Sequence, residues 1–255
     1  MPQNLTVGVL ALQGGVVEHL NLLRKAAAHI QSSSPESLEG LELAFTEVRT
    51  TAQLTQCSAL IIPGGESTTM AIVARRLGLL DPLREFVKVQ HKPVWGTCAG
   101  LVMLAEQASA TKQGGQELVG GLDVKVLRNR YGTQMQSFVA GLDLGFLGQG
   151  EEPFRAVFIR APIVEEVNIA AEGGGCLEQG GKGPPVEVLA VYHGGEGQKQ
   201  AGEGNGKGDI VAVRQGNVFG TSFHPELTND VRIHVWWLRQ VLDAARHGKL
   251  VVNGV

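Results

Sequence analysis

Short apolar runs alternate with amphipathic segments through the first 108 residues. The continuous apolar run Leu5–Leu12 predicts a buried strand, and the apolar spacing over 16–30 predicts a helix after it. The same patterns predict further strands at 41–48, 59–62 and 93–95, and further helices at 69–80, 82–90 and 101–108. Strands that alternate with helices in this way predict a largely parallel sheet with helices packed on both faces.

The second half of the chain has a different rhythm, in which strands follow one another with few helices between them. Strands are predicted at 119–127, 156–159, 186–192, 210–214 and 218–222. Antiparallel strands need only short connections, so we expect them to extend the parallel part into a mixed sheet. A last helix is predicted over 229–247, with Trp236, Trp237, Val241 and Leu242 as its packing residues.

The composition is typical of a folded chain and argues against several classes of function. Apolar residues make up 43% of the 255 residues and charged residues 18%, which is enough for a substantial core. The net charge of −3 gives no bulk electrostatic reason to bind nucleic acid or an anionic membrane. No apolar run reaches the ~20 residues of a membrane span, and no basic region precedes the first apolar run as in a secretory signal. At 255 residues, the length fits one large domain or two small ones.

The three cysteines, Cys57, Cys98 and Cys176, are too widely spaced to indicate a disulfide framework or a metal site. This usage fits a reducing, cytoplasmic location. Neither a phosphate-binding GxxxxGK motif nor a G-x-G-x-x-G motif occurs in the right context, so no nucleotide cofactor is expected.

Glycine is over-represented, and much of the excess falls in one region. Of the 35 glycines, 13 lie in residues 173–208. Segments of this composition bury too little apolar surface to offset the entropy of ordering them, so we expect flexible loops at about 173–185 and 194–208. We interpret them as tolerated surface insertions, with a lid or docking element as the alternative.

Cys98 lies between a predicted strand and a predicted helix, in the segment Gly96–Gly100. Small residues on both sides permit the sharp turn of a nucleophile elbow, which presents the thiol above the carboxyl edge of a sheet. The start of the next helix favours the thiolate, and the backbone N–H of Ala99 is free to hold an oxyanion. A buried structural cysteine is the alternative for Cys98 and the preferred interpretation for Cys57 and Cys176.

His224 and Glu226 supply the base and the orienting acid that a thiol nucleophile needs. They follow the predicted strand 218–222, and in extended backbone positions i and i+2 point to the same side. Glu226 is therefore expected behind the imidazole of His224, where it fixes the tautomer. A His-Pro-Glu tripeptide alone is more typical of a surface turn, so this prediction depends on pairing with Cys98.

The segment Pro63–Thr68 follows the predicted strand 59–62. Its two glycines allow backbone geometry that other residues resist, and free N–H groups there are expected to complete an oxyanion site. The same segment suits a helix cap, with Ser67 or Thr68 as the N-cap residue. The two interpretations are compatible.

Together these motifs resemble the triad-type (class I) glutamine amidotransferases and, more narrowly, the glutaminase subunits of pyridoxal 5'-phosphate synthase, the PdxT family. The matching segments keep the family's order, and they are Val7–Gly14, Glu18-His19, Pro63–Thr68, the Cys98 elbow, Arg128–Gly132, Phe158–Pro162 and Phe223–Leu227. The resemblance implies a three-layer α/β/α fold of the flavodoxin-like amidotransferase type. Its central sheet is implied to be mixed and mostly parallel, with helices on both faces, in a single domain of residues 1–255.

The resemblance also implies a role for each site residue. Cys98 attacks the carboxamide of L-glutamine, His224 transfers protons and Glu226 orients His224, with a glutamyl thioester as intermediate. The N–H groups of Gly65 and Ala99 are the implied oxyanion donors. The implied contacts with glutamine come from Gly65, Glu66, Ser67, Arg128, Ile159 and Arg160, and Gln13 is implied to lie on the side that faces the partner. A carboxylate and an arginine suit the α-ammonium and α-carboxylate of free glutamine.

The implied partner is a (β/α)₈ synthase subunit of the PdxS type, which uses the ammonia to make pyridoxal 5'-phosphate, and no metal or other cofactor is implied. Two positions depart from the family pattern, because Thr133 replaces an arginine and Val139 replaces a glutamate. No role is assigned to either residue. The alternatives are a glutaminase subunit for another synthase, a cysteine hydrolase of related fold, and a catalytically silent binding module.

Overall fold

The computed structural model describes residues 3–109, 116–128, 137–148, 152–168, 184–194 and 208–247. The strands in these ranges are β1 (Gln3–Leu10), β2 (Leu41–Val48), β3 (Ala59–Ile62), β4 (Val94–Thr97), β5 (Ala105–Ala108), β6 (Leu122–Leu127), β7 (Ser137–Leu142), β8 (Phe154–Ile159), β9 (Ile163–Val167), β10 (Glu187–Tyr192), β11 (Asp209–Gln215) and β12 (Val218–Thr221). The α-helices are α1 (Val16–Ser33), α2 (Thr51–Thr55), α3 (Ser67–Arg76), α4 (Leu80–Arg84), α5 (Ala99–Leu104) and α6 (Arg232–Arg246). No helix among them is long and apolar enough to cross a bilayer.

Several predicted features lie outside the described residues. These are Cys176, residues 129–132 of the family segment Arg128–Gly132, and Thr133, which departs from the family pattern. Most of the two glycine-rich loops also lies outside, at 169–183 and 195–207. The other departure, Val139, lies in β7 with its side chain exposed.

Ten strands form one mixed sheet in the order β2-β1-β3-β4-β12-β11-β9-β6-β5, and β10 pairs with β11. The five strands from β2 to β12 in this order run parallel, whereas β11 and β9 are antiparallel to their neighbours. Strands β7 and β8 form a separate antiparallel pair. The parallel block begins in the flavodoxin-like order 2-1-3-4, for which ligands bind at the carboxyl edge of the strands.

Strand β3 shows why the protein has three layers. Ala59 and Ile61 point into one core, Leu60 and Ile62 point into the other, and all four are fully buried. Helices α1 and α6 cover the first face, and α2 to α5 cover the second. A strand that is buried on both faces has a continuous apolar sequence, as the 59–62 run does. The predicted three-layer architecture is confirmed.

The structure confirms most predicted elements and corrects a few. Strands 41–48 and 59–62 have the predicted bounds, and α1 begins at Val16 as predicted but continues to Ser33. The helix predicted over 101–108 is wrong in its second half, because Ala105–Ala108 forms β5, parallel to β6. Periodicity does not distinguish a short buried helix from a short buried strand, so the pairing with β6 decides. Strands β7 and β9 were not predicted.

Candidate active site

A cavity of about 500 Å³ lies at the carboxyl edge of the parallel strands, within the usual size range of a small-molecule site. The loops that follow β1, β3, β4 and β12 all contribute to it. Its lining consists of Gln13, Gly14, Gly15, Gly64, Gly65, Glu66, Ser67, Cys98, Ala99, Val102, Arg128, Ile159, Arg160, Pro162, His224, Glu226 and Leu227. Every site residue predicted from the sequence is in this set, so the fold brings all of them together.

The turn at Cys98 is strained. Cys98 has a φ of +49° and a ψ of −104°, a conformation that residues with a Cβ rarely adopt, and it joins β4 to α5. A Cβ added at Gly100 would lie 2.0 Å from the carbonyl oxygen of Ile62, and one at Gly96 would lie 2.5 Å from the Gly100 carbonyl. Both glycines are therefore required by the close approach of α5 to the sheet. Strain of this kind is typical of functional sites.

His224 and Glu226 form the expected pair, but through a different backbone conformation. His224 Nδ1 lies 2.7 Å from Glu226 Oε1. The predicted extended geometry is wrong, since Pro225–Leu227 forms a 3₁₀ turn. The backbone N–H of His224 donates to the carbonyl of Val157 in β8 at 2.8 Å, which anchors the turn. Gly64 lies against the imidazole, where an added Cβ would be 2.4 Å from Cε1.

The electrostatics favour a charged pair at these residues. Burial alone lowers the pKa of His224, but the hydrogen bonds and charges of Cys98 and Glu226 outweigh it and raise that pKa to about 10. Burial likewise disfavours the charged form of Glu226, yet His19 and His224 hold its pKa well below the usual range. The imidazole of His224 is therefore protonated at neutral pH.

The loop that carries Gly65 is held in place by the loop after β1. The side-chain oxygen of Gln13 accepts a hydrogen bond from the backbone N–H of Glu66 at 2.8 Å. Gly65 has a φ of +150°, and a Cβ there would lie 2.7 Å from the same Gln13 oxygen. A Cβ at Gly14 would lie 2.1 Å from the carbonyl oxygen of Gly64, so the two loops are also in close contact through these glycines. Gln13 thus sets the position of the loop from within the cavity wall.

Glu66 is the N-cap of α3, which corrects the prediction that Ser67 or Thr68 has this role. The carboxylate of Glu66 accepts from the backbone N–H groups of Thr68 and Thr69 at 3.1 and 2.7 Å. Burial disfavours the ionised form, but the hydrogen bonds from Thr69 and Thr68 together outweigh it and hold the pKa of Glu66 below its usual value. Glu66 is exposed at the cavity wall as an anion.

Arg128 belongs to a hydrogen-bond network that the sequence did not reveal. Its Nη1 donates to the side-chain oxygen of Gln116 at 2.6 Å and to Oγ1 of Thr68 at 3.2 Å. The hydroxyl of Ser67 donates to the same Gln116 oxygen at 3.0 Å. No motif or periodicity marked Gln116, because it lies in an irregular segment before β6. The network fixes the guanidinium beside the start of α3.

Two buried histidines near the site were also missed as functional candidates. His19 lies on the buried face of α1, and His234 lies on the buried face of α6. A polar residue at an apolar position of a helix is a signal that sequence reasoning can use. Across the described ranges, no three His, Cys, Asp or Glu side chains have a metal-binding arrangement.

Comparison with known proteins identifies the family. The sequence profile of the SNO glutamine amidotransferase family matches residues 9–182 and 184–243. This chain belongs to that family. The resemblance inferred from the Cys98 elbow and the Pro63–Thr68 segment is thereby confirmed, and so is the predicted fold class.

Among its relatives, this SNO-family chain is 45% identical to the "Probable pyridoxal 5'-phosphate synthase subunit PDX2" of Arabidopsis thaliana, over 92% of this chain and 85% of that protein. It is 40% identical to the pyridoxal 5'-phosphate synthase subunit SNO1 of Saccharomyces cerevisiae, over 92% of each. A crystal structure of a glutamine amidotransferase superposes with a TM-score of 0.66 at 34% identity, covering 93% of this chain and 98% of that one.

Proposed function

We propose that this protein is the glutaminase subunit of a pyridoxal 5'-phosphate synthase, which hydrolyses L-glutamine and supplies ammonia to a PdxS-type barrel subunit. The observation that carries the proposal is the convergence of Cys98, on a strained elbow, with the His224–Glu226 pair in one cavity. Family membership and the names of the relatives support it. A cytoplasmic location belongs to the same proposal, because the free thiol of Cys98 needs a reducing compartment.

The reaction proceeds in two halves. The Cys98 sulfur attacks the carboxamide carbon of glutamine, and the oxyanion that forms accepts hydrogen bonds from the N–H groups of Gly65 and Ala99. His224 gives its proton to the amide nitrogen, the C–N bond breaks, and ammonia leaves a glutamyl thioester. Neutral His224 then takes a proton from water, whose oxygen attacks the thioester. The C–S bond breaks and glutamate leaves, while Glu226 keeps the imidazole oriented throughout.

The cavity wall offers complementary groups for the two charges of free glutamine. The guanidinium of Arg128 binds the α-carboxylate, and the anionic carboxylate of Glu66 binds the α-ammonium. The remaining contacts come from Ser67 and the Ile159-Arg160 segment. Gln13, on the exposed rim, faces the synthase. Docking there acts on the loop of Gly65 directly, because Gln13 is hydrogen-bonded to it.

Glutamate release by the full chain tests this function, measured alone, with a PdxS-type synthase subunit, and with a histidine-pathway synthase. We expect the PdxS-type subunit to raise glutamine turnover and the other synthase to leave it unchanged. The Cys98→Ala variant, mixed with the same subunit, is the matched control and should be inactive. Turnover stimulated by the histidine-pathway synthase instead would assign the chain to another amidotransferase, and no turnover in any mixture would refute the glutaminase function.

A further inference from the structure

Behind Glu226, a line of polar side chains continues into the apolar core. His19, near the start of α1, and His234, near the start of α6, are both fully buried. His19 Nε2 lies 3.3 Å from Glu226 Oε2, an ionic contact with poor hydrogen-bond angles. His19 Nδ1 lies 3.0 Å from His234 Nε2. Buried polar groups cost free energy unless they are paired, so this line needs a physical reason.

The two rings are held rigidly by their surroundings. Trp95 packs edge-on against both imidazoles, with ring centroids 5.7 Å from His19 and 4.9 Å from His234. The indole N–H of Trp95 in turn donates to Thr221 Oγ1 at 3.2 Å. The hydroxyl of Thr97 lies 3.5 Å from His19 Nε2. The distances along the line are therefore set by packing of α1 and α6 against the sheet.

The contacts select one tautomer for each ring. Glu226 Oε1 receives the proton of His224 Nδ1, so its Oε2 faces His19 as an acceptor, and His19 Nε2 must carry hydrogen. When His19 carries its one proton on Nε2, its Nδ1 accepts, and His234 Nε2 at 3.0 Å is the donor. This leaves a lone pair at His234 Nδ1, the ring nitrogen for which the described residues offer no partner. An unpaired acceptor costs less than an unpaired buried N–H, so the arrangement is consistent from end to end.

We propose that His19 is a positioning residue of the triad, which holds the free oxygen of Glu226, and that His234 fixes the tautomer in which His19 does so. The inference rests on the proposed glutaminase function for its kinetic consequences. With one carboxylate oxygen on His224 and the other on His19, the plane of the carboxylate is fixed. Without the second contact, the carboxylate can rotate and holds a proton more readily. The titratable groups that face Glu226 within the described chain are His224 on its own turn, His19 from α1 and His234 behind it. Glu18 of α1 also faces it, because a Cβ at Gly15 would lie 3.4 Å from both Glu18 Oε2 and Glu226 Oε1.

Two near-isosteric variants separate positioning from packing. In His19→Gln the amide nitrogen reaches the place of Nε2 and still donates to Glu226, whereas in His19→Asn it reaches only the place of Nδ1. We expect His19→Asn to lower kcat about tenfold with KM unchanged and to move the acid limb of the pH–kcat profile to higher pH. His19→Gln should restore most of kcat and the position of the limb. Equal losses in both variants with an unmoved acid limb would overturn the proposal in favour of simple packing.

A spectroscopic test does not depend on activity. Two-bond ¹H–¹⁵N correlation spectra of the ¹⁵N-histidine-labelled wild-type chain at pH 7 report the tautomer of each ring. We expect neutral Nε2–H forms for both His19 and His234, assigned with His234→Gln. An Nδ1–H form of His19 would refute the inference whatever the kinetics show. Conversely, a wild type with the expected tautomers but no glutamine turnover would refute the proposed function and leave the hydrogen-bond line standing.

Discussion

The backbone N–H of Cys98 donates to the carbonyl oxygen of Thr221 at 2.8 Å. This bond continues the parallel pairing of β4 and β12, in which Thr97 lies opposite Thr221. Cys98 directly follows β4, and His224 lies three residues after the end of β12 at Thr221. The main chain of two neighbouring strands therefore places these two residues beside each other. The site geometry should survive changes to the Cys98 side chain, which makes several experiments interpretable.

We expect Cys98→Ala to lower glutamine turnover by more than about a thousandfold, because it removes the nucleophile. Glutamate release in the presence of the synthase subunit measures the loss. The variant should keep the circular dichroism spectrum and the cooperative unfolding of the wild type. Near wild-type turnover in Cys98→Ala would show that another group is the nucleophile.

The strain at residue 98 predicts a difference in stability between two inactive variants. Glycine tolerates a φ of +49° and alanine does not, so Cys98→Gly should be more stable than Cys98→Ala by about 1 kcal/mol. Urea unfolding monitored by tryptophan fluorescence gives the difference in the free energy of unfolding. Equal stability, or a more stable alanine variant, would mean that the turn relaxes at no cost.

Gly64→Ala should impair catalysis through His224. The added methyl would lie 2.4 Å from His224 Cε1, so the imidazole has to leave its present position. We expect kcat to fall at least about tenfold, as for other small displacements of a catalytic group. Gly145→Ala is the matched control, because a Cβ at Gly145 meets no atom within 4 Å. Equal kcat values in the two variants would contradict this account of Gly64.

The ion pair around His224 predicts how stability depends on pH. The pKa of His224 rises from 6.5 to about 10 on folding, so its contribution is complete below about pH 6.5 and disappears as the pH rises through about 10. The lowered pKa of Glu226 gives a contribution that is complete above its ordinary value of 4.5 and falls away at lower pH. The difference in unfolding free energy between wild type and His224→Gln should thus be largest at about pH 5–6.5 and vanish above pH 10. If this difference in unfolding free energy instead increased from about pH 6.5 to about pH 10, the predicted direction of the His224 pKa shift would be wrong.

Cys98 should react with iodoacetamide far faster than Cys57. The thiol of Cys57 is buried in the core beneath β3, and burial raises its pKa to about 11, so little thiolate is present at pH 7. Cys98 borders the cavity and lies beside a protonated imidazole. Peptide mass spectrometry after brief labelling measures both sites. Comparable labelling of the two cysteines in the native chain would rule out selective activation of Cys98.

Sequence patterns were sufficient for the features that depend on neighbours along the chain. A continuous apolar run indicated the strand 59–62, because a strand that is buried on both faces excludes polar residues. Small residues around Cys98 indicated the elbow, because the turn admits nothing larger at Gly96 and Gly100. The predicted site residues all line one cavity, although Arg128, Ile159 and Arg160 were recognised through the family resemblance alone.

Tertiary structure decided what depends on partners distant in the chain. Whether Ala105–Ala108 is helix or strand was settled by its pairing with β6. The approach of His19 to His234, 215 residues away, follows from the packing of α1 on α6. Hydrophobic periodicity shows which face of an element is buried, but it does not show which buried side chains contact one another. The hydrogen bonds behind the site depend on those contacts, so only the tertiary structure revealed them.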